Sequence, residues 1–130
     1  MRLTICLTAA VALCASSAQA HPEAAAAHAP FQLNETTWTY VDKGTKVQES
    51  IDASGNYIEH SVAGKHLDHG TAVMKGGKAC FTSAMTKEGE VCWTTPHSAV
   101  KIGNSFVATS DKGRKVKVTR LKYVPESMPK

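Results

Sequence analysis

The chain has 130 residues, 42% apolar and 20% charged, with a formal net charge of +4. That is enough for one small domain and excludes a nucleotide-dependent multidomain enzyme. A mean hydropathy of -0.22 excludes both a disordered polyampholyte and a polytopic membrane protein.

Residues 1–20 have the layout of a secretory signal: Arg2 as the positive start, an apolar stretch from Leu3 to Leu13, and Ala18-Gln19-Ala20 as a small-residue cleavage site. The expected mature chain starts at His21 and is periplasmic or secreted. The apolar stretch is too short for a bilayer core of roughly 30 Å, so no membrane span is expected. Residues 21–34 carry Pro22, Pro30 and a run of alanines without hydrophobic periodicity. They read as a flexible arm.

From residue 35 to 124 the chain becomes a series of short runs rich in Thr, Val, Ile and aromatic residues, broken about every ten residues by Gly, Asn or Asp. The predicted strands are Thr36–Asp42, Thr45–Asp52, Asn56–Val62, His66–Lys75, Lys78–Ser83, Glu90–Thr95, Ser98–Ile102, Ser105–Ser110 and Arg114–Tyr123. Breaks such as Lys43-Gly44 and Gly76-Gly77 suit tight hairpins. No run of ten residues has a helical period, so the fold class is all-β: an antiparallel up-and-down meander of eight or nine strands. Such a meander has two exposed edges unless it closes, and a small closed or partly open barrel follows. Residues 125–130 form a C-terminal tail.

With the signal removed, Cys80 and Cys92 are the remaining cysteines, and an oxidising compartment makes them a disulfide. In a regular hairpin Cys80 faces Cys92, Ala79 faces Trp93 and Phe81 faces Val91. The bridge then occupies one face of the hairpin and Phe81, Val91 and Trp93 the core-facing side. Eleven intervening residues are too many for a redox-active pair.

Thr36-Thr37-Trp38 opening the first strand and Val118-Thr119-Arg120 closing the last resemble the Trp and Arg signature of calycins, the small β-barrels that include lipocalins and avidins. Strand parity puts Arg120 beside Trp38 at one barrel end. The segments Gly55-Asn56-Tyr57, His69-Gly70-Thr71, Cys80–Met85 and Cys92-Trp93-Thr94 are similar to small uncharacterised secreted proteins of Gram-negative bacteria. The calycin resemblance implies a ligand-binding barrel; the second implies export and one disulfide, with no activity attached.

Candidate ligand-binding residues are Trp38, Tyr40, Phe81, Trp93, Phe106 and Arg120, as core or pocket lining. Candidate metal ligands are His60, His66 and His69. His66 and His69 lie three apart and share a strand face only if a bulge intervenes. His60 and His66 face each other across a three-residue loop and diverge across a two-residue one. Asp68 is adjacent to His69, and neighbours on a strand point apart. With no nucleophile motif and no carboxylate pair evident from spacing, an enzyme is not expected and no cofactor is implied.

From Lys101 onward there are eight basic residues against two acidic. An anionic envelope polymer at the C-terminal strand is therefore a possible partner, while the lack of an aromatic stacking platform argues against nucleic acid. The leading expectation is an exported cell-envelope protein that binds a small ligand or a partner protein. The alternatives are a periplasmic metal binder using its histidines and an enzyme inhibitor inserting its N-terminal arm.

Overall fold

The computed structural model describes residues 29–128. The expected signal at 1–20 and residues 21–28 of the expected arm lie outside the described residues. Eight strands follow in order: β1 (Thr36–Asp42), β2 (Thr45–Ile51), β3 (Asn56–Ser61), β4 (His66–Lys75), β5 (Lys78–Ser83), β6 (Glu90–Thr94), β7 (Ser105–Thr109) and β8 (Lys115–Leu121). They form one antiparallel sheet in the order β6-β5-β4-β3-β2-β1-β8-β7. No helix long and apolar enough to cross a membrane occurs among the described residues.

Pairing of β1 with β8 curls the meander into a barrel with one seam, between β6 and β7. A single bridge crosses it, Trp93 to Ser110. The Asp111 N–H also donates to the Cys92 carbonyl at 2.9 Å, and the Thr109 N–H to Thr94 Oγ1 at 2.9 Å. The sheet edges that the meander leaves are thereby partly covered.

Alternation along each strand explains the layering. On β2, Val47, Glu49 and Ile51 are buried while Lys46 on the opposite parity is exposed. The β1–β2 turn holds Lys43 at φ 47° and Gly44 at φ 81°, the paired left-handed conformation of a two-residue hairpin whose twist matches its strands.

Ser98–Ile102 is not a ninth strand. Its one bridge joins Ser98 to Pro30, and proline has no N–H with which to extend a ladder.

Residues 29–34, expected as the end of the flexible arm, instead plug one barrel end. The Phe31 N–H donates to the His97 carbonyl at 3.1 Å and the Ala99 N–H to the Ala29 carbonyl at 2.8 Å. Leu33 is buried in a core with Trp38, Ile51, Tyr57, Ala72 and Ala79. Phe31 stacks on Trp38 with ring centroids 5.7 Å apart, and Phe106 meets Trp38 edge-on at 5.8 Å. Burying a side chain such as Leu33 contributes roughly 2 kcal/mol, enough to dock so short a segment.

Cys80 and Cys92 are partners in the β5–β6 ladder and are disulfide-bonded. Ala79 faces Trp93 and Phe81 faces Val91, so the bridge lies on one face and the apolar trio on the other, as parity requires. Closing this loop contributes about 3 kcal/mol in the chain-entropy picture. The C-terminal tail lies against the outside of the barrel: the Val124 N–H donates to Thr37 Oγ1 at 2.9 Å and Gln48 Nε2 to Glu126 Oε1 at 3.1 Å.

Candidate functional site: a barrel cavity with an acidic wall

Inward-facing side chains do not fill the barrel. A cavity of about 530 Å³ runs from Phe31 and Leu33 at the plugged end towards Asp42 at the end of β1 and Glu88 and Arg114 on the loops at the other. This volume lies within the range of roughly 300–1,000 Å³ typical of small-molecule sites.

Five of the six side chains expected to bind a ligand line it: Trp38, Tyr40, Phe81, Trp93 and Phe106. Arg120 does not. It pairs with Trp38 across β1 and β8, and its guanidinium stacks on the indole at 5.2 Å, a cation–π contact at the plugged end. Burial lowers its pKa, and Nε has no hydrogen-bond partner. At the other end Arg114 lies 5.7 Å from the Trp93 ring and is ion-paired with Asp42.

The cavity is two-sided. Strands β5 to β8 contribute Phe81, Val91, Trp93, Phe106, Val116 and Val118. Strands β2 to β4 contribute three carboxylates side by side: Glu49 opposite Glu59, and Glu59 opposite Asp68.

Glu49 is 7% exposed. The Tyr40 hydroxyl donates to Glu59 Oε1 at 2.6 Å and lies 3.5 Å from Glu49 Oε2, so its one proton is taken by Glu59. Burial holds the Glu49 carboxyl well above the usual carboxylate range, and the Glu59 charge raises it further. Glu59 is also raised, chiefly by burial. Two carboxyls in this position share a proton, Glu49 neutral and Glu59 ionised. Burial and then the Glu49 and Glu59 charges raise the Tyr40 phenol.

Asp68 is fully hydrogen-bonded. Oδ2 accepts from the Tyr57 hydroxyl at 2.9 Å, and Oδ1 accepts from Ser83 Oγ at 2.6 Å and from the His69 N–H at 2.8 Å. Burial and the Asp68 hydrogen bond raise the Tyr57 phenol. Tyr57 can take this position because its β4 partner is Gly70. A Cβ on Gly70 would lie 2.9 Å from Tyr57 Cε1 and 2.0 Å from the Thr82 carbonyl oxygen.

A β-bulge turns Asp68 inward. Glu59 pairs with Asp68 but His60 with His66, leaving Leu67 extra, and Leu67 and Asp68 both line the cavity. The same bulge puts His66 and His69 on one outer face. The three-residue connection Val62-Ala63-Gly64, closed by the Ser61 N–H to the Lys65 carbonyl at 2.8 Å, sets His60 directly opposite His66.

The three candidate metal ligands therefore come together as a row. Ring centroids are 5.4 Å apart for His60 and His66 and 5.2 Å for His66 and His69, with His66 Nε2 3.1 Å from His69 Nδ1. At the row's end His60 Nδ1 is paired with Glu126. A row does not surround one point. Among the described residues, the three-residue group with ligand atoms within 4.8 Å of one another is Cys80, Glu90 and Cys92, and its sulfurs are bonded to each other.

Sequence reasoning singled out the aromatic wall but not Glu49, Glu59 and Tyr57, and it considered Asp68 only beside His69. The signal available was parity, since Glu49 shares its strand face with Val47 and Ile51. No family model matches this chain, and neither a curated protein nor a solved structure is significantly similar to it.

Proposed function

We propose that the protein is an exported cell-envelope binding protein that holds a small ligand inside its barrel. The observation that carries this reading is the cavity of about 530 Å³ with an aromatic wall facing a polar one. A barrel of this size built only for stability would close on its own side chains, because unfilled volume forfeits packing contacts. Its apolar wall would bury a ligand's body, and its few convergent polar groups would orient it. The disulfide supports an oxidising compartment.

The test is native mass spectrometry of the protein isolated from the cells that make it, compared with the same sample denatured. A mass excess lost on denaturation, absent from a variant with Ala108→Trp filling the cavity, is the expected result. Equal masses for the folded and denatured samples would contradict the reading.

A further inference from the structure

The acidic wall restricts what the cavity can hold, provided that the interior is a ligand site as proposed above. Glu49, Glu59 and Asp68 line one cavity. Among the described residues the ion pairs are His60 with Glu126, Lys75 with Glu90 and Arg114 with Asp42; none involves these three carboxylates. Asp68 has its own hydrogen bonds from Tyr57, Ser83 and the His69 N–H. Glu49, 7% exposed, lies opposite Glu59 and shares a proton with it, so the pair lines the void with one negative charge that no cation among the described residues balances. A buried negative charge without a counter-charge is costly, and one that lines an open cavity points to a missing cation.

We infer that the ligand is an organic cation, with an ammonium group seated between Glu49 and Glu59 and an apolar body resting on Phe81, Trp93 and Phe106. Each part of the cavity fits that class. An ammonium supplies N–H donors to both carboxyls and balances the negative charge of the pair. Aromatic faces on the other side tolerate both the hydrocarbon and the nearby positive charge. Anionic ligands meet the like charges of Glu59 and Asp68, and neutral ones leave the charge of the Glu49–Glu59 pair unbalanced. A bare metal ion would need a tighter cage, since the three carboxylates do not form a group with ligand atoms within 4.8 Å of one another.

The test compares matched probes on the purified protein with its disulfide intact. Butyl, cyclohexyl and phenethyl skeletons are each offered as ammonium, alcohol and carboxylate, and binding is read by titration calorimetry. For at least one skeleton the ammonium binds at least about tenfold more tightly than the alcohol, and the carboxylate is weakest. Double substitution Glu49→Gln with Glu59→Gln reduces the ratio of ammonium to alcohol affinity to less than about twofold. Equal binding of ammonium and alcohol in the native protein overturns the cation class but leaves the small-ligand reading intact. Failure of all nine probes to bind at millimolar concentration overturns both. The native-protein comparison needs no variant, so a poorly folding double substitution does not shield the inference.

Discussion

Strands β3 and β4 carry polar clusters on both faces, and the two faces treat them in opposite ways. Outside, His60, His66 and His69 lie in a row beneath the C-terminal tail, partly open to water, with Glu126 capping the end. Inside, Glu59 and Asp68 join Glu49 behind a protein wall with no cationic partner among the described residues. Charge on the outer face can be solvated or neutralised at little cost. On the inner face it opposes folding unless something else enters. The contrast makes the inner cluster, unlike the outer one, a cost to stability.

Breaking the inner arrangement at its support has the largest expected effect. Gly70→Ala puts a methyl group against the Thr82 carbonyl and the Tyr57 ring, and a loss of about 3 kcal/mol in denaturant unfolding is expected. Removing the charge that Tyr57 and Ser83 stabilise comes next: Asp68→Asn loses charge-assisted hydrogen bonds and lowers stability by about 1–2 kcal/mol.

Glu49→Gln has the opposite sign. The folded-state pKa of Glu49 lies above its unfolded value, so the native state binds the proton more tightly. The stability this gives is fully present below the unfolded carboxyl value, about pH 4, and is lost as pH rises towards the folded value. The Glu49 contribution to the stability of the unliganded protein therefore weakens from about pH 4 upward. Gln, always neutral, flattens that slope and stabilises the fold by about 1 kcal/mol at neutral pH. A pH series of unfolding midpoints for the two proteins reads this directly.

The smallest effect belongs to the outer face. Glu126→Gln breaks a peripheral ion pair and changes stability by no more than about 0.5 kcal/mol, leaving ligand binding unaltered. A loss comparable with that of Asp68→Asn would erase the contrast between the faces.

The sequence made the barrel legible because alternation and glycine spacing are local signals. The disulfide followed from the two cysteines left after the expected signal cleavage, and parity set its register, since positions 79 to 81 and 91 to 93 had to face one another in a regular hairpin. The position of Arg120 beside Trp38 followed from strand parity, and its stack on the indole from the calycin-like pattern of Trp and Arg. What escaped depended on non-local facts. The Leu67 bulge, which turns Asp68 inward and aligns His66 with His69, leaves no compositional trace. Whether His60 faced His66 hung on one residue of loop length. Phe31 and Leu33 lie two residues apart ahead of the first strand, and among prolines and alanines their alternation was too short to reveal a plug. The buried glutamates were visible by parity in β2 and β3, but only a void beside them distinguishes a site from a misplaced charge.

The decisive experiment is a crystal structure of the protein soaked with phenethylammonium. The nitrogen is expected within hydrogen-bonding distance of both Glu49 and Glu59, and the phenyl ring against Phe81, Trp93 or Phe106. A cavity left empty, or a probe whose nitrogen lies away from both carboxylates, would contradict the organic-cation ligand.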